Sequence, residues 1–459
     1  MTTPTFLPLL KKDRTETDLP DKKPTYTRSE AMAEAERCLY CADAPCIKAC
    51  PTEIDIPTFI KKIASDNVRG SATTIFEQNL LGYSCARVCP VEVLCVGSCV
   101  YNGWHRDPIQ IGRLQRYATE HATADAAKRS APLYMPKAPT GKKIALIGAG
   151  PASLACAGYL AILGHKAVIF EKRPLPGGLN TTGIAPYKLH AEAALHEVEF
   201  VQSFGVEIKT GITVGKAGAS AGQISGKQLL EEYDAVYIGV GLGADSKLGI
   251  PGEDGANVFG ATAWIEEMKL AGRCTGTLPG VAQKLGRVLV IGGGNTAIDV
   301  ARECALLGAA DVSMVYRRGT EAMSGYHHEM DGARKEGVKL ITNAVPVAFV
   351  RDASGKLTAL RVARGENGKA VPGSEHEIPC DHVAIAIGQA KIKDVIDELP
   401  SVALDSKGNI AVDPRNGQTG NPKVFSGGDC INGGKEVVNA AADGRNTARY
   451  LDSIWSKKN

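Results

Sequence analysis

Two dense runs of cysteine are the residues in this sequence best suited to chemistry. The first reads Cys38-x2-Cys41-x4-Cys46-x3-Cys50-Pro51 and the second Cys85-x3-Cys89-Pro90-x4-Cys95-x3-Cys99; together they hold eight of the thirteen cysteines. Thiolates at these spacings, with proline after a cysteine, fit cubane iron–sulfur centres: three short-range ligands wrap one cluster, and the fourth cysteine, before proline, reaches another. By that rule Cys38, Cys41 and Cys46 share a cluster, and Cys50 joins a second with ligands from the later run. Eight thiolates would also satisfy two all-cysteine zinc ions. The Cys-Pro flanks and the company of two nucleotide folds favour iron–sulfur.

Those two folds are visible as an internal repeat. KKIALIGAGPASLACAGYLAILGHKAVIFEKR (142–173) and GRVLVIGGGNTAIDVARECALLGAADVSMVYRR (286–318) are copies of one strand–glycine turn–helix–strand unit. In the first copy, Gly148-x-Gly150-x-x-Ser153 follows an apolar strand. The first glycine allows the tight turn, the second lets backbone approach a pyrophosphate, and the helix N-terminus stabilises its charge. Ser153 is small enough to keep the helix close, and Glu171, about twenty residues on, can accept from ribose hydroxyls. Gly177-Gly178 resembles the turn that follows this acid in FAD-binding proteins, and VFSGGDCINGGKEVVNAAADGRNTARYL resembles their closing segment. That resemblance implies that Asp429 holds the ribityl chain and that the next helix points its N-terminus at the flavin ring, stabilising the reduced anion.

The second copy carries Gly292-x-Gly294-x-x-Ala297, with Asn295 and Thr296 opening the helix as further candidates for nucleotide contact. The position equivalent to Glu171 is Val315, followed by Tyr316, Arg317 and Arg318. A missing acid plus arginines suits the 2′-phosphate of NADPH. This copy is read as the nicotinamide-nucleotide fold.

The elements that must position these residues follow from local signals. Residues 1–28 are polar and read as an extended arm. SEAMAEAERC has Ser29 as a helix N-cap, so a short helix should end at Cys38. A helix is expected near IGRLQRYATEHATADAA, and the Pro-rich APLYMPKAPTGK marks a boundary, after which strands and helices alternate as in parallel α/β folds. The expected fold class is α/β: a helical N-terminal iron–sulfur domain (1–135), then two Rossmann-like nucleotide-binding domains. The NAD(P)H-binding domain (251–385) is inserted in the FAD-binding domain (142–250 and 386–459).

Composition excludes several alternatives. At 459 residues and 44% hydrophobic, the chain can bury more than one core. A net charge of +3 gives no argument for nucleic-acid or membrane binding through bulk charge. No run approaches the roughly 18 apolar residues of a membrane helix, and the opening residues lack the pattern of a secretory signal. Clustered cysteines without such a signal read as metal ligation in the cytoplasm. Cys156, Cys274, Cys304 and Cys380 stand alone and read as packing residues, as does Cys430. No C-x-x-C occurs beside the flavin motifs, so a redox disulfide is not expected. His327 and His328 read as a surface loop.

CADAPCIKACPTEIDIPTFI, IFEQNLLGYSCARVCPVEVLCVGSC and PIQIGRLQRYATE resemble the N-terminal iron–sulfur region of dihydropyrimidine dehydrogenases. The chain is most similar to the separate flavin subunit of the bacterial NAD-dependent enzyme, along essentially its whole length. It more distantly resembles the small subunit of glutamate synthase, whose first cysteine run typically lacks the Ala-Asp-Ala-Pro spacer. The resemblance implies two 4Fe–4S clusters, one with a glutamine ligand: Cys38, Cys41, Cys46 and Gln115 on one, Cys50, Cys89, Cys95 and Cys99 on the other, with Cys85 spare. Spacing alone does not choose Gln115 over Cys85. The resemblance implies FAD, with NADH as reductant and NADPH the alternative, since Ser324 stands where NADPH-using animal enzymes carry a second arginine. It further implies an electron-input subunit: hydride passes to FAD, and single electrons cross two clusters to a separate FMN and iron–sulfur subunit. That partner would interconvert uracil or thymine and their 5,6-dihydro forms, for which this sequence has no barrel-like run of strands.

Overall fold

The computed structural model describes residues 5–128, 132–215, 222–272 and 285–457; Cys274 lies outside them. The N-terminal region is helical, built on Arg28–Glu36, Ile56–Ala64, Val68–Gln78, Gly82–Val88 and Ile111–Lys128. Ile56, Phe59, Ile60 and Ile63 recur at helical spacing and are buried with Ile75, Leu114 and Tyr117. The Asp55 carboxylate accepts the Thr58 N–H at 3.1 Å and fixes that helix's start. The first helix begins earlier than the sequence suggests, because Thr27 and not Ser29 is its cap. Glu30 returns the bond, its carboxylate accepting the Thr27 N–H at 2.8 Å. Ser29 has Met32 three residues on and cannot form this reciprocal box.

Two five-stranded parallel sheets follow. One has the order 424–426, 235–238, 143–147, 166–171, 207–210; the other 339–341, 311–315, 287–291, 382–385, 258–260. Every strand of the second falls in sequence between the last two strands of the first, so one fold is inserted in the other. An antiparallel meander (Ala344–Arg351, Leu357–Glu366, His376–Pro379) fills the stretch between the second sheet's outer strand and its return. The central strands of both sheets are near-continuously apolar because both faces are covered: helices pack on one face of each, and the meander covers the other face of the second sheet.

The C-terminal helix, Val437–Ser456, crosses the first glycine-turn helix, Pro151–Ile162, with no room to spare. A Cβ at Gly444 would stand 2.2 Å from the Ala152 carbonyl oxygen. His327 and His328 open the helix His327–Lys335 instead of lying in a loop. The N-terminal arm is not loose: Phe6, Arg14, Thr15, Glu16 and Leu19 are buried against the body. Among the described residues, no helix is long and apolar enough to cross a membrane.

Candidate functional site

Cys38, Cys41, Cys46 and Cys99 line a single apolar pocket walled by residues such as Ile56, Ile60 and Ile111. Burial raises the Cys38 thiol, and Cys41 and Cys99 raise it further. Cys46 is pushed up to about 12 by burial first and then by Cys38 and Cys99. A second set lies toward the flavin-type sheet. Cys89 is raised by a hydrogen bond with Cys85, by burial, and by Cys95 and Cys50. Cys95 is pushed up to about 12 by burial and next by Cys50.

This grouping differs from the ligand set that the resemblance implied. Cys99 stands with Cys38, Cys41 and Cys46, and Gln115 does not line their pocket. The cause is tertiary. Cys99 opens the short helix Val100–Gly103, and the Tyr101 hydroxyl donates to the Arg37 carbonyl at 2.8 Å, returning this end of the second run to the first. Gln115 is 8% exposed, and its Nε2 donates to the Gly82 carbonyl at 2.7 Å, at the start of the helix that carries Cys85. Gln115 and Cys85 therefore both lie on the side of the second set.

Four thiols in an apolar wall are the donor set that an iron–sulfur cluster takes. Among the described residues, no three His, Cys, Asp or Glu side chains close up tightly enough to grip one metal ion. The thiols ring a space instead. A thiol ligates iron as the thiolate, so cluster binding here displaces the thiol protons.

At the first glycine turn, Gly148 has φ +87°, and a Cβ there would lie 2.8 Å from the Gly239 carbonyl oxygen. Gly178, at φ +56°, would bring a Cβ within 2.9 Å of the Gly150 Cα. Three stretches of bare backbone thus meet at the N-terminus of Pro151–Ile162, a cradle that any side chain would fill and that fits a dinucleotide pyrophosphate. Ser153 is wholly buried beneath Gly239. Glu171 ends its strand with the carboxylate held by the Ala149 and Arg173 N–H groups at 2.7 and 2.8 Å. Asp429 opens a short turn of helix after Gly428; it accepts the Lys435 N–H at 3.0 Å, and burial raises its carboxyl.

At the second turn, Gly292 is packed so that a Cβ would lie 2.3 Å from the Ala386 carbonyl oxygen, and Ala297 is wholly buried. The Asn295 side chain accepts the Tyr326 N–H at 2.9 Å, while Thr296 is exposed. Ser324 flanks the turn, its hydroxyl 3.4 Å from where a Gly294 Cβ would be. Arg317 and Arg318 are exposed beyond the strand Asp311–Val315, and Arg318 donates to the Tyr316 hydroxyl at 2.9 Å. Among the described residues, neither arginine forms an ion pair with a carboxylate. Sequence reasoning missed one residue here. The Tyr326 hydroxyl donates at 2.8 Å to Glu436, which caps the C-terminal helix, and so ties the second turn to the first fold. No local pattern announces that contact.

Two glycine turns on interleaved parallel sheets, preceded by a thiol-rich helical domain, define a pyridine-nucleotide flavoprotein with an iron–sulfur inlet or outlet. Residues 142–444 match the pyridine nucleotide-disulphide oxidoreductase family, and the chain belongs to it. Residues 15–127 match the family described as dihydropyrimidine dehydrogenase domain II, 4Fe-4S cluster. The glutamate synthase [NADPH] small chain of Escherichia coli (strain K12) is 35% identical over 440 residues, 92% of this chain and 91% of that one. The NAD-dependent dihydropyrimidine dehydrogenase subunit PreT of Salmonella typhimurium is 34% identical over 442 residues, 95% and 98% of the two chains. Thioredoxin reductase of T. acidophilum shares the fold at a TM-score of 0.52 and 21% identity, over 68% of this chain and 99% of that one. The protein is an NAD(P)H-dependent oxidoreductase that uses FAD and iron–sulfur. The likeness to thioredoxin reductase is one of fold: Cys156, Cys304, Cys380 and Cys430 are each buried as free thiols.

Proposed function

We propose that this chain is the cytoplasmic electron-input subunit of an NAD(P)H-dependent dihydropyrimidine dehydrogenase, working with a separate FMN and iron–sulfur subunit that reduces uracil or thymine. Its working parts would be an iron–sulfur domain over 1–135, an FAD domain over 142–250 and 386–459, and a nicotinamide domain over 251–385. One 4Fe–4S cluster would be held by Cys38, Cys41, Cys46 and Cys99. A second would be held by Cys50, Cys89 and Cys95, with Gln115 as fourth ligand and Cys85 as its rival. Anchoring the Gln115 amide through Nε2 leaves its carbonyl oxygen as the ligating atom.

The observation that carries the reading is the seating of the second thiol set on the flavin fold. Cys50 and Cys89 pack against the apolar core of that fold. Arg445, on the C-terminal helix, donates to the carbonyls of Thr52 and Gln78, and Glu197 accepts the Ser84 N–H at 2.9 Å. Bound FAD would accept hydride from the nicotinamide and release electrons singly. The residues' part is geometric: Gly148, Gly150, Ser153, Glu171, Gly178 and Asp429 would hold FAD, and Gly292, Gly294, Asn295, Thr296 and Ala297 the second nucleotide. Preorganisation of both against each other would supply the proximity that hydride transfer needs.

Resemblance favours NADH, whereas exposed Arg317 and Arg318 without a carboxylate partner favour the 2′-phosphate of NADPH. The same device could instead feed a glutamate synthase, a reading supported by the near-equal identity to that small chain. The test is anaerobic. The isolated protein should hold about eight irons, two cubanes' worth, bleach with nicotinamide nucleotide, reduce dyes, and leave uracil untouched. Uracil reduction should appear only on adding an FMN-bearing partner. Pyrimidine reduction by the isolated chain, or activity only with a glutamine-hydrolysing partner, would overturn the assignment.

A further inference from the structure

The two nucleotide folds meet through a joint rich in buried polar contacts. Lys269, on the nicotinamide-fold helix Ala261–Leu270, is fully buried, and its ammonium donates to three carbonyls of the flavin fold: Asn180 at 2.8 Å, Ile184 at 3.0 Å and Leu189 at 2.8 Å. Lys188 of the flavin fold pairs with Asp299 and Glu329 of the other at 2.7 and 2.8 Å. The Tyr187 hydroxyl donates to Asp299 at 2.6 Å. Polar joints of this kind between domains ordinarily permit relative motion, because water can replace each bond as the faces part.

The N-terminal arm supplies what this joint lacks. Glu16, wholly buried, accepts the Ala191 N–H of the flavin fold at 2.9 Å and is held by the Arg14 guanidinium at 2.7 Å. Arg14 itself makes a backbone bridge to Gly272, just past the Lys269 helix. Leu19 fills an apolar seam with Ala185 and Tyr187 on one side and Leu306 and Leu307 on the other. The Lys22 N–H donates to the Tyr187 carbonyl at 3.2 Å, and its ammonium meets Glu336 at 2.6 Å. Asp21 then pairs with Arg116 of the iron–sulfur domain at 2.7 Å. Within about ten residues the arm touches all three parts, and it provides the apolar wedge between the two nucleotide folds.

We infer that residues 13–24 clamp the nicotinamide-nucleotide fold in one orientation against the flavin fold, with Glu16 and Leu19 as its positioning residues. The clamp removes domain rotation from the hydride-transfer step and sets the approach of the two nucleotides before either binds. Its covalent link to the iron–sulfur domain makes the three parts one body.

The test uses the full chain with FAD and clusters loaded, and it needs no partner subunit, so it stands or falls apart from the proposed function. Glu16→Ala should slow single-turnover flavin bleaching by NADH or NADPH some 10- to 100-fold, the scale of an ångström-level misplacement. Nucleotide Kd, flavin content and iron content should stay at parent values. Hydrogen exchange should rise in both 180–189 and 261–270, the two faces of the joint. Glu16→Gln, which keeps an acceptor for the Ala191 N–H, should recover most of the rate. Lys22→Ala, at the solvent edge, should shift rate and exchange in the same direction by less, and it carries the test if Glu16→Ala does not fold. Parent-like bleaching and parent-like exchange in the folded variants would overturn the clamp, as would slower bleaching with both faces still protected.

Discussion

Replacing Cys99 by alanine, alone and together with Cys38, separates the two assignments of the thiols. The structure puts Cys99 on the pocket of Cys38, Cys41 and Cys46, and none of Cys50, Cys89 or Cys95 lines that pocket. Losing one ligand of four should therefore empty one cubane, taking iron from about eight to about four per chain. The single variant does not say which cluster was lost, so the double variant is decisive. If Cys38 and Cys99 serve one cluster, Cys38→Ala with Cys99→Ala still retains about four irons. If Cys99 belongs with Cys50, as the family resemblance implied, the double variant loses both clusters and retains almost none. Iron and acid-labile sulfide would be measured after anaerobic purification, with flavin content as the control for folding. Flavin content should hold, because Cys38 and Cys99 pack in the helical domain's own core and not in the flavin fold's. Dye reduction drawn from FAD should persist in both variants. A double variant stripped of all iron while keeping its flavin would refute the grouping.

Gly444→Ala should overpack the crossing with Ala152 and Cys156, costing about 1–3 kcal/mol, and should lower both Tm and the FAD retained on purification. Glu197, wholly enclosed, is raised by burial to about 7 from an ordinary 4.5. The folded state thus holds a proton that the unfolded chain releases, so this contribution is full below pH 4.5 and is lost as pH rises through 7. Glu197→Gln keeps an acceptor for Ser84 and should match the parent near pH 4.5 but exceed its stability above pH 7, by at most about 3 kcal/mol; a parent-like pH profile of Tm would contradict this. Arg317→Ala should raise KM for NADPH at least tenfold while barely moving KM for NADH. Equal effects on both nucleotides would remove the arginine from the 2′-phosphate.

The glycine turns and the metal-binding character of the cysteine runs are legible in the sequence because short-range constraints govern them, whereas the Thr27 cap was not. Gly148 and Gly292 announced two glycine turns because only a residue without Cβ can pass so close to the carbonyls of Gly239 and Ala386. The cysteine runs announced metal chemistry because thiol density at fixed spacing has few other uses in a chain of this composition. The insertion of one α/β fold in another followed from the resemblance of the Asp429 segment to the closing segment of FAD-binding proteins. Which thiols face each other was decided only by tertiary structure. Spacing orders ligands along the chain, but Cys99 meets Cys38 through a bond between Tyr101 and Arg37, 64 residues apart. The arm is the same case. Polar composition reads as an extended tail, yet Glu16 and Leu19 are buried because a polar joint between two distant folds offers them a bond and a seam. Neither partner carries a local signal, since each acquires its meaning only when the other arrives.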